Sequence, residues 1–274
     1  MPKNLSLIEF LLQIADNALI MGHRLSEWTG HGPVLEQDIA ITNIALDHIG
    51  QARGLYQYAA QKINELPPAE RQQLFASSVL QNKTTDYTED DLAYLRDAWD
   101  YRNLLLVEIP NGNWADTIAR SFFYDHYTYA LFDFIQKKFS DEQLKAIAEK
   151  SLKEVTYHKR WSSEWVIRLG DGTEESHQKM QTAINEAWPF SGEIFMLSPC
   201  EQEIFVPLKS FDVQQARNNW DTEITAILDE AGLNHPDINA WMQSGGKEGR
   251  HTEHLGFLLT ELQFMQRAYP GMEW

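Results

Sequence analysis

The chain has 274 residues with 23 Lys plus Arg, 40 Asp plus Glu, a formal net charge of −17 and one cysteine. One thiol closes no intramolecular disulfide and builds no thiolate cage, so a stapled secreted scaffold is excluded and a reducing cytoplasm is expected. The acidic excess argues against nucleic acid or an anionic membrane surface as partner; no uninterrupted apolar run reaches ~18 residues, and the stretch from Met1 to Ser6 lacks the basic start and apolar run of a signal peptide, so neither a span nor a leader is expected.

The pattern is helical almost throughout. Ser6 followed by Glu9 reads as a capping box, and Leu7, Phe10, Leu11, Ile14, Ala15, Ala18, Leu19 and Leu25 then recur at helical spacing. Gly30-His31-Gly32-Pro33 ends that helix. A second long helix is predicted from Val34 to Ile63, with Ile41, Ile44, Ala45, Ile49, Ala52, Leu55, Tyr56 and Ala59 on its apolar side, and Pro67-Pro68 closes the region. Residues 69–112 are less regular, with a short helix expected over Thr88–Tyr101 and a turn at Asn111-Gly112-Asn113. A third long helix spans Trp114–Phe139, and Ser140 with Gln143 reads as a capping box opening a fourth to Leu169. Gly170-Asp171-Gly172 separates it from a fifth, Glu174–Leu197, which Pro189 should kink or break. Ser198–Asp212 reads as irregular, Val213–Ala231 as a sixth helix with Gly232 as its C′ glycine, and a short piece falls near 237–243. A glycine-rich turn, residues 245–249, precedes a last helix over His251–Ala268 and the tail Pro270–Trp274. With no repeat and no linker, the expectation is all-α: one helical domain over residues 1–274, a four-helix bundle with additional C-terminal helices.

Two predicted hairpins give this bundle a chemical pattern. Folding helices one and two around residues 30–33 sets Asp16 and Asp47 at equal distance from the turn. Folding helices three and four around residues 139–141 does the same for Asp125 and Glu154. Each acid lies ~15 residues, or ~22 Å, from its turn, so four carboxylates are expected near mid-bundle at one level. Their neighbours are apolar or aromatic, and buried carboxylates are costly unless paired, hydrogen-bonded or metal-bound.

This is the frame of a ferritin-like di-iron carboxylate site, which takes a carboxylate from each of two helices and Glu-x-x-His from each of the other two. The imidazole positions are missing: Gly50 stands three residues after Asp47, and Tyr157 three after Glu154. His48 is offset by ~100° from Asp47 and is expected to point away. His158, four residues beyond Glu154, stays near that face and is the residue that keeps metal binding open. An emptied site is therefore expected, with Asn43, Gln51, Arg120 and Tyr157 as candidate partners for the acids.

These blocks carry a family resemblance. Residues 25–33 (Leu-Ser-Glu-Trp-Thr-Gly-His-Gly-Pro), 44–53, 103–120, 179–185, 245–256 and the tail 270–274 resemble the non-catalytic, C-type subunits of the phenylacetyl-CoA epoxidases, the ring 1,2-phenylacetyl-CoA monooxygenases of aerobic phenylacetate degradation. Residues 64–95 and 198–212 match least. The resemblance implies a ferritin-like fold and pairing with an A-type subunit that carries the di-iron centre and binds the acyl-CoA. It also implies a small B-type subunit and a reductase with flavin (FAD) and iron–sulfur groups. The reaction so implied inserts one oxygen atom of O2 across the aromatic ring, with NADPH as electron source. The C-type chain is required for activity but has lost its own metal ligands. No catalytic residue, metal or cofactor is therefore expected in this chain, and the degenerate di-iron positions are Asp16, Asp47, Gly50, Asp125, Glu154 and Tyr157.

Other features have plainer readings beside the functional ones. The glycine turn with Lys247 and Arg250 could contact a CoA phosphate or a partner, although a simple helix boundary is the more ordinary reading. His251, Glu253 and His254 form only a short cluster. Cys200 has no base at fixed spacing. The aromatic run 122–129 is too wide for a single core stripe. The expected function is thus a structural subunit that orders its di-iron partner. A self-sufficient di-metal oxygenase using Asp16, Asp47, Asp125, Glu154 and His158 is the rival, and a CoA-ester binding module a third reading; a homodimer is one candidate state of the chain alone, which the sequence does not decide.

Overall fold

The computed structural model describes residues 3–208 and 212–272. Residues 209–211, within the stretch read as irregular, and residues 273–274 of the tail lie outside the described residues. Twelve α-helices occur among the described residues: α1 Lys3–Ser26, α2 Leu35–Asn64, α3 Pro68–Arg71, α4 Ser78–Gln81, α5 Glu89–Tyr94, α6 Trp114–Lys138, α7 Glu142–Gly170, α8 Glu174–Ala187, α9 Pro199–Phe205, α10 Val213–Glu230, α11 Glu253–Leu262 and α12 Phe264–Ala268. No strand is present among them. Short 3-10 turns at Ala98–Asp100, Leu105–Glu108, Trp188–Phe195, Val206–Leu208 and Gly246–Glu248 join them.

The body is a four-helix bundle. α1 pairs with α2, α6 pairs with α7, and α2 meets α7 between the hairpins. α8 and α10 lie across α6 and α7, and α9 lies against α1. This cover explains the wide aromatic run of α6. Phe122, Phe123, Tyr124 and Tyr127 are all buried, because α6 is enclosed on more than one side, as expected for a helix apolar around its whole circumference. Phe123 packs near Trp188 and Trp220, whose rings stack with centroids 6.0 Å apart. Leu5–Ser26 has the length and hydropathy (1.4) of a membrane span, but its apolar window is 83% buried in the bundle.

Local chemistry sets several boundaries. Thr88 and Asp91 form a reciprocal capping box, as do Asn113 with Asp116 and Ser198 with Glu201. The last of these starts a helix, α9, inside the stretch read as irregular. Pro189 converts the end of the predicted fifth helix into a 3-10 segment. Two expected capping boxes are absent. Ser6 and Glu9 lie inside α1, and α7 is capped by Asp141, whose carboxylate accepts from Leu144 N at 2.9 Å, not by Ser140. The helix expected over Thr88–Tyr101 stops at Tyr94, and that over His251–Ala268 is two helices separated at Gln263. Gly232 follows α10 at φ +67°, and Leu233 N donates to Leu228 O at 2.9 Å, a left-handed closure that glycine adopts without a Cβ penalty.

The register of the first hairpin differs from the symmetric expectation. A Cβ on Gly22 would sit 2.9 Å from Ile49 Cδ1 and 3.2 Å from Ala45 O, and the Thr29 and Thr42 hydroxyls are 3.2 Å apart. The residue level with Asp47 is therefore Gly22. Asp16 lies six residues further along α1, about 9 Å away along the axis. The cause is that Trp28, Thr29 and His31 donate back to Leu25, Ser26 and Trp28, so the chain goes on winding past Ser26 and shifts the effective turn toward residue 35.

The glycine-rich turn is an internal staple. The buried Glu193 carboxylate accepts from Leu105 N at 2.5 Å, Gly245 N at 3.0 Å and Gly246 N at 3.1 Å. A Cβ on Gly246 would lie 2.2 Å from the backbone oxygen of Asn103. Gly246→Ala should therefore lower the unfolding free energy by about 2–3 kcal/mol, read from urea denaturation; an unchanged midpoint would show that this staple does not constrain the fold.

Candidate functional site

The six positions expected to be degenerate di-iron ligands separate into two places. Asp16, on α1, is completely buried and belongs to a closed polar box. Arg96 donates to both of its oxygens, with Nη1 3.1 Å from Oδ2 and Nη2 in closer contact with Oδ1. Tyr56 OH donates to Oδ1 at 2.6 Å and Arg102 N to Oδ2 at 2.8 Å. Arg96 is itself fully buried and donates to Leu92 O and Asp100 O, and its guanidinium lies 4.3 Å over the Tyr101 ring. Burial opposes the charge on Arg96, and the adjacent Asp16 overcomes that opposition, so its pKa is raised. Burial, then the Asp16 charge, pushes Tyr56 far above its ordinary value. With its oxygens committed to these donors, Asp16 is positioned as the partner of an arginine.

The second place lies between α2, α6 and α7. His48, Asp125 and His158 are all buried, and one ligand atom from each falls within 4.8 Å of the other two. The His48 and His158 ring centroids are 4.9 Å apart. Asp47 sits at the rim with its side chain 36% exposed, and its Oδ2 is 3.0 Å from His158 Nε2. The expected orientation of His48 is thus reversed: it faces the interior and Asp47 faces the edge. The reason is visible in the helical period, since His48 falls four residues after Ile44 and seven before Leu55, on the buried stripe of α2. Glu154 is one turn from this cluster and accepts from Gln51 Nε2 at 2.9 Å. Gly50 is exposed, and Tyr157 is 40% exposed.

Burial dominates the proton chemistry here. It raises the Asp125 carboxyl to about 6, against the lowering effects of His158 and then Ser162. It pushes His48 well below the ordinary imidazole value, helped by repulsion from His158 and opposed by Gln51. It also lowers His126, next to Asp125, to about 3. His48 is therefore neutral at physiological pH.

A profile of the phenylacetic acid catabolic protein family matches residues 2–274. The chain belongs to that family. It is also 42% identical over 268 residues, covering 98% of this chain and 99% of the relative, to a protein of Escherichia coli (strain K12) named as the C subunit of 1,2-phenylacetyl-CoA epoxidase. The all-helical bundle is the ferritin-like fold expected of this phenylacetic acid catabolic family.

Most of the other sequence candidates of this family member take internal roles. Lys247 is buried, and its Nζ meets Glu201 Oε1 and Oε2 at 3.1 and 3.0 Å and Ile194 O at 3.1 Å. That inward salt bridge takes Lys247 away from a CoA phosphate, and the turn's amides of Gly245 and Gly246 already serve Glu193. Arg250 is exposed and paired with Glu248 at 2.6 Å. His251 is held between Glu108 Oε1 (2.5 Å) and Tyr101 O (3.0 Å). Among the four residues offered as partners for the acids, Gln51 serves Glu154, whereas Arg120 donates to Ile109 O and Asn111 Oδ1 instead. Burial, then repulsion from Arg24, lowers Arg120 to about 9.

Sequence reasoning missed Arg96 and the inward His48. The heptad spacing of His48 carried a signal, but Arg96 falls beyond Tyr94, where the helix expected to reach Tyr101 has already ended, so helical period gives it no direction. Arg96→Met should destabilise the protein by about 3–5 kcal/mol, because it leaves the Asp16 charge buried and unpaired. Adding Asp16→Asn should recover much of that loss in chemical denaturation; equal loss in both variants would refute the pairing. Cys200, buried with its thiol pushed up to about 12 chiefly by burial, should react with iodoacetamide at about pH 8 at least ~100-fold more slowly in the native than in the unfolded chain.

Proposed function

We propose that this chain is the structural, non-catalytic C-type subunit of a multicomponent phenylacetyl-CoA 1,2-epoxidase in aerobic phenylacetate degradation. The observation that carries this reading is Asp16 neutralised by Arg96, about 9 Å along the bundle from the level of Asp47. A di-iron centre needs four helices to present ligands at one level. Here α1 presents Gly22 at that level, and its acid is spent on an arginine. The similarity to a relative named as the C subunit of such an epoxidase, over nearly the whole of both chains, supports the same reading.

On this reading the oxygen-activating di-iron centre and the acyl-CoA site belong to an A-type partner. A small B-type subunit and an FAD and iron–sulfur reductase using NADPH complete the system, and this chain contributes no redox group. Its contribution is positioning, to which catalysis is sensitive at the ångström scale. The buried free thiol of Cys200 accords with a reducing cytoplasm.

The outer face of α2 offers the surface for pairing. Leu35, Ile39 and Leu46 are 72%, 53% and 63% exposed. At spacings of four and seven they form one stripe, and exposed apolar stripes mark association surfaces. Co-expression with the catalytic subunit tests the assignment. Wild type should co-purify with it and raise its phenylacetyl-CoA epoxidation at least ~10-fold, while Ile39→Asp/Leu46→Asp should abolish both effects with an unchanged melting temperature. Oxygen-dependent turnover by this chain alone, with two irons bound, would overturn the reading in favour of a self-sufficient oxygenase.

A further inference from the structure

We propose that His48, Asp125 and His158 form a binding site for one divalent transition-metal ion, zinc or a close congener, held between α2, α6 and α7. This goes beyond the subunit role and differs from a di-iron centre, since three donors converge on one point and α1 contributes none of them.

The first support is orphaned polarity. Both ring nitrogens of His48, Asp125 Oδ1 and His158 Nδ1 are buried without a hydrogen-bond partner. The Gln51 side chain also approaches His48; its amide nitrogen serves Glu154, so its oxygen faces one imidazole N–H, and the lone pair of the other ring nitrogen is left for the cluster. Buried polar atoms left unsatisfied are costly, and several in one cluster call for a shared partner. An adjacent water could serve one or two of them; a cation serves the lone pairs of all three residues.

The second support is the way His158 is held. Its Nε2 faces the Asp47 carboxylate at 3.0 Å, so the proton belongs on Nε2 and the Nδ1 lone pair is left for the cluster. Metal-bound histidines are typically oriented in this way, with the outer nitrogen donating to a carboxylate. His48 faces the cluster from α2, with its ring centroid 4.9 Å from that of His158 and a ring nitrogen within 4.8 Å of the other two donors. The donor set of two imidazoles and one carboxylate suits zinc, or cobalt and ferrous iron, more than calcium or magnesium.

Charge balance is the third support. A divalent ion with Asp125 inside and Asp47 at the rim sums to zero, which permits burial without a residual charge. Donors around a tetrahedral ion stand about 3.4 Å apart, so the present separations, within 4.8 Å, close by small side-chain rotations. The half-exposed Asp47 gives the ion its way in.

The full-length chain, stripped with a chelator and dialysed, should bind one Zn2+ or one Co2+, measured by metal analysis after equilibrium dialysis. Co2+ should develop the visible bands of a four-coordinate ion, and Zn2+ should bleach them. Asp125→Asn, close in shape to the native residue, should weaken binding at least ~100-fold, and Asp47→Asn, acting through His158, about 10–100-fold. His235→Gln, at an exposed histidine elsewhere, should leave it unchanged. Zn2+ should raise the melting temperature of the wild type and not that of Asp125→Asn. Failure of the folded wild type to retain an ion overturns the proposal without recourse to any variant, and so does binding that survives Asp125→Asn.

Discussion

Charge inside a helical bundle has to be answered by something, and in this protein two answers sit a few turns apart. At Asp16 the answer is Arg96, a guanidinium with no solvent contact, joined by a tyrosine hydroxyl and a backbone amide. A carboxylate and an arginine desolvated together tolerate neither partner's loss. The box therefore fixes how the connection after α5 passes over the bundle, since Arg96, Asp100, Tyr101 and Arg102 all reach into or around it. It also consumes the acid that the first helix of a di-iron protein would supply.

The second answer is incomplete within the chain's own hydrogen bonds. His48, Asp125 and His158 come from three helices and leave several donor atoms unmatched. Their environment, not their identity, gives them their character. Burial holds His48 neutral and lifts Asp125 to about 6, while the rim carboxylate of Asp47 orients His158. Three helices thus bring two imidazoles and a carboxylate together at the level of Asp47, where α1 presents Gly22.

The C-terminal third works mainly as cladding. Glu193, Glu201 and Glu108 lie at its junctions with the bundle, each receiving donors from distant segments: the glycine turn, Lys247, and His251 with Thr252. These internal anions occupy the amides and cations that would otherwise resemble a phosphate cradle. They leave the stripe on α2, with Leu35, Ile39 and Leu46, as an apolar surface away from the cladding.

Helical period, proline and glycine placement, and short capping patterns were sufficient for the all-α class, the four long helices and the break at Pro189, because these depend on residues within a few positions of one another. The absence of Glu-x-x-His was equally local. The level of Asp16 was not, since it depended on how far the chain keeps winding after Ser26, and a shift of six residues in that register separates it from Asp47. The inward turn of His48 was written in its spacing from Ile44 and Leu55, yet its meaning needed Asp125 and His158 to arrive from the other hairpin. The pairing of Asp16 with Arg96, 80 residues away, and of Lys247 with Glu201 could be decided only by the assembled core, because exclusion of water is what makes one buried charge select another.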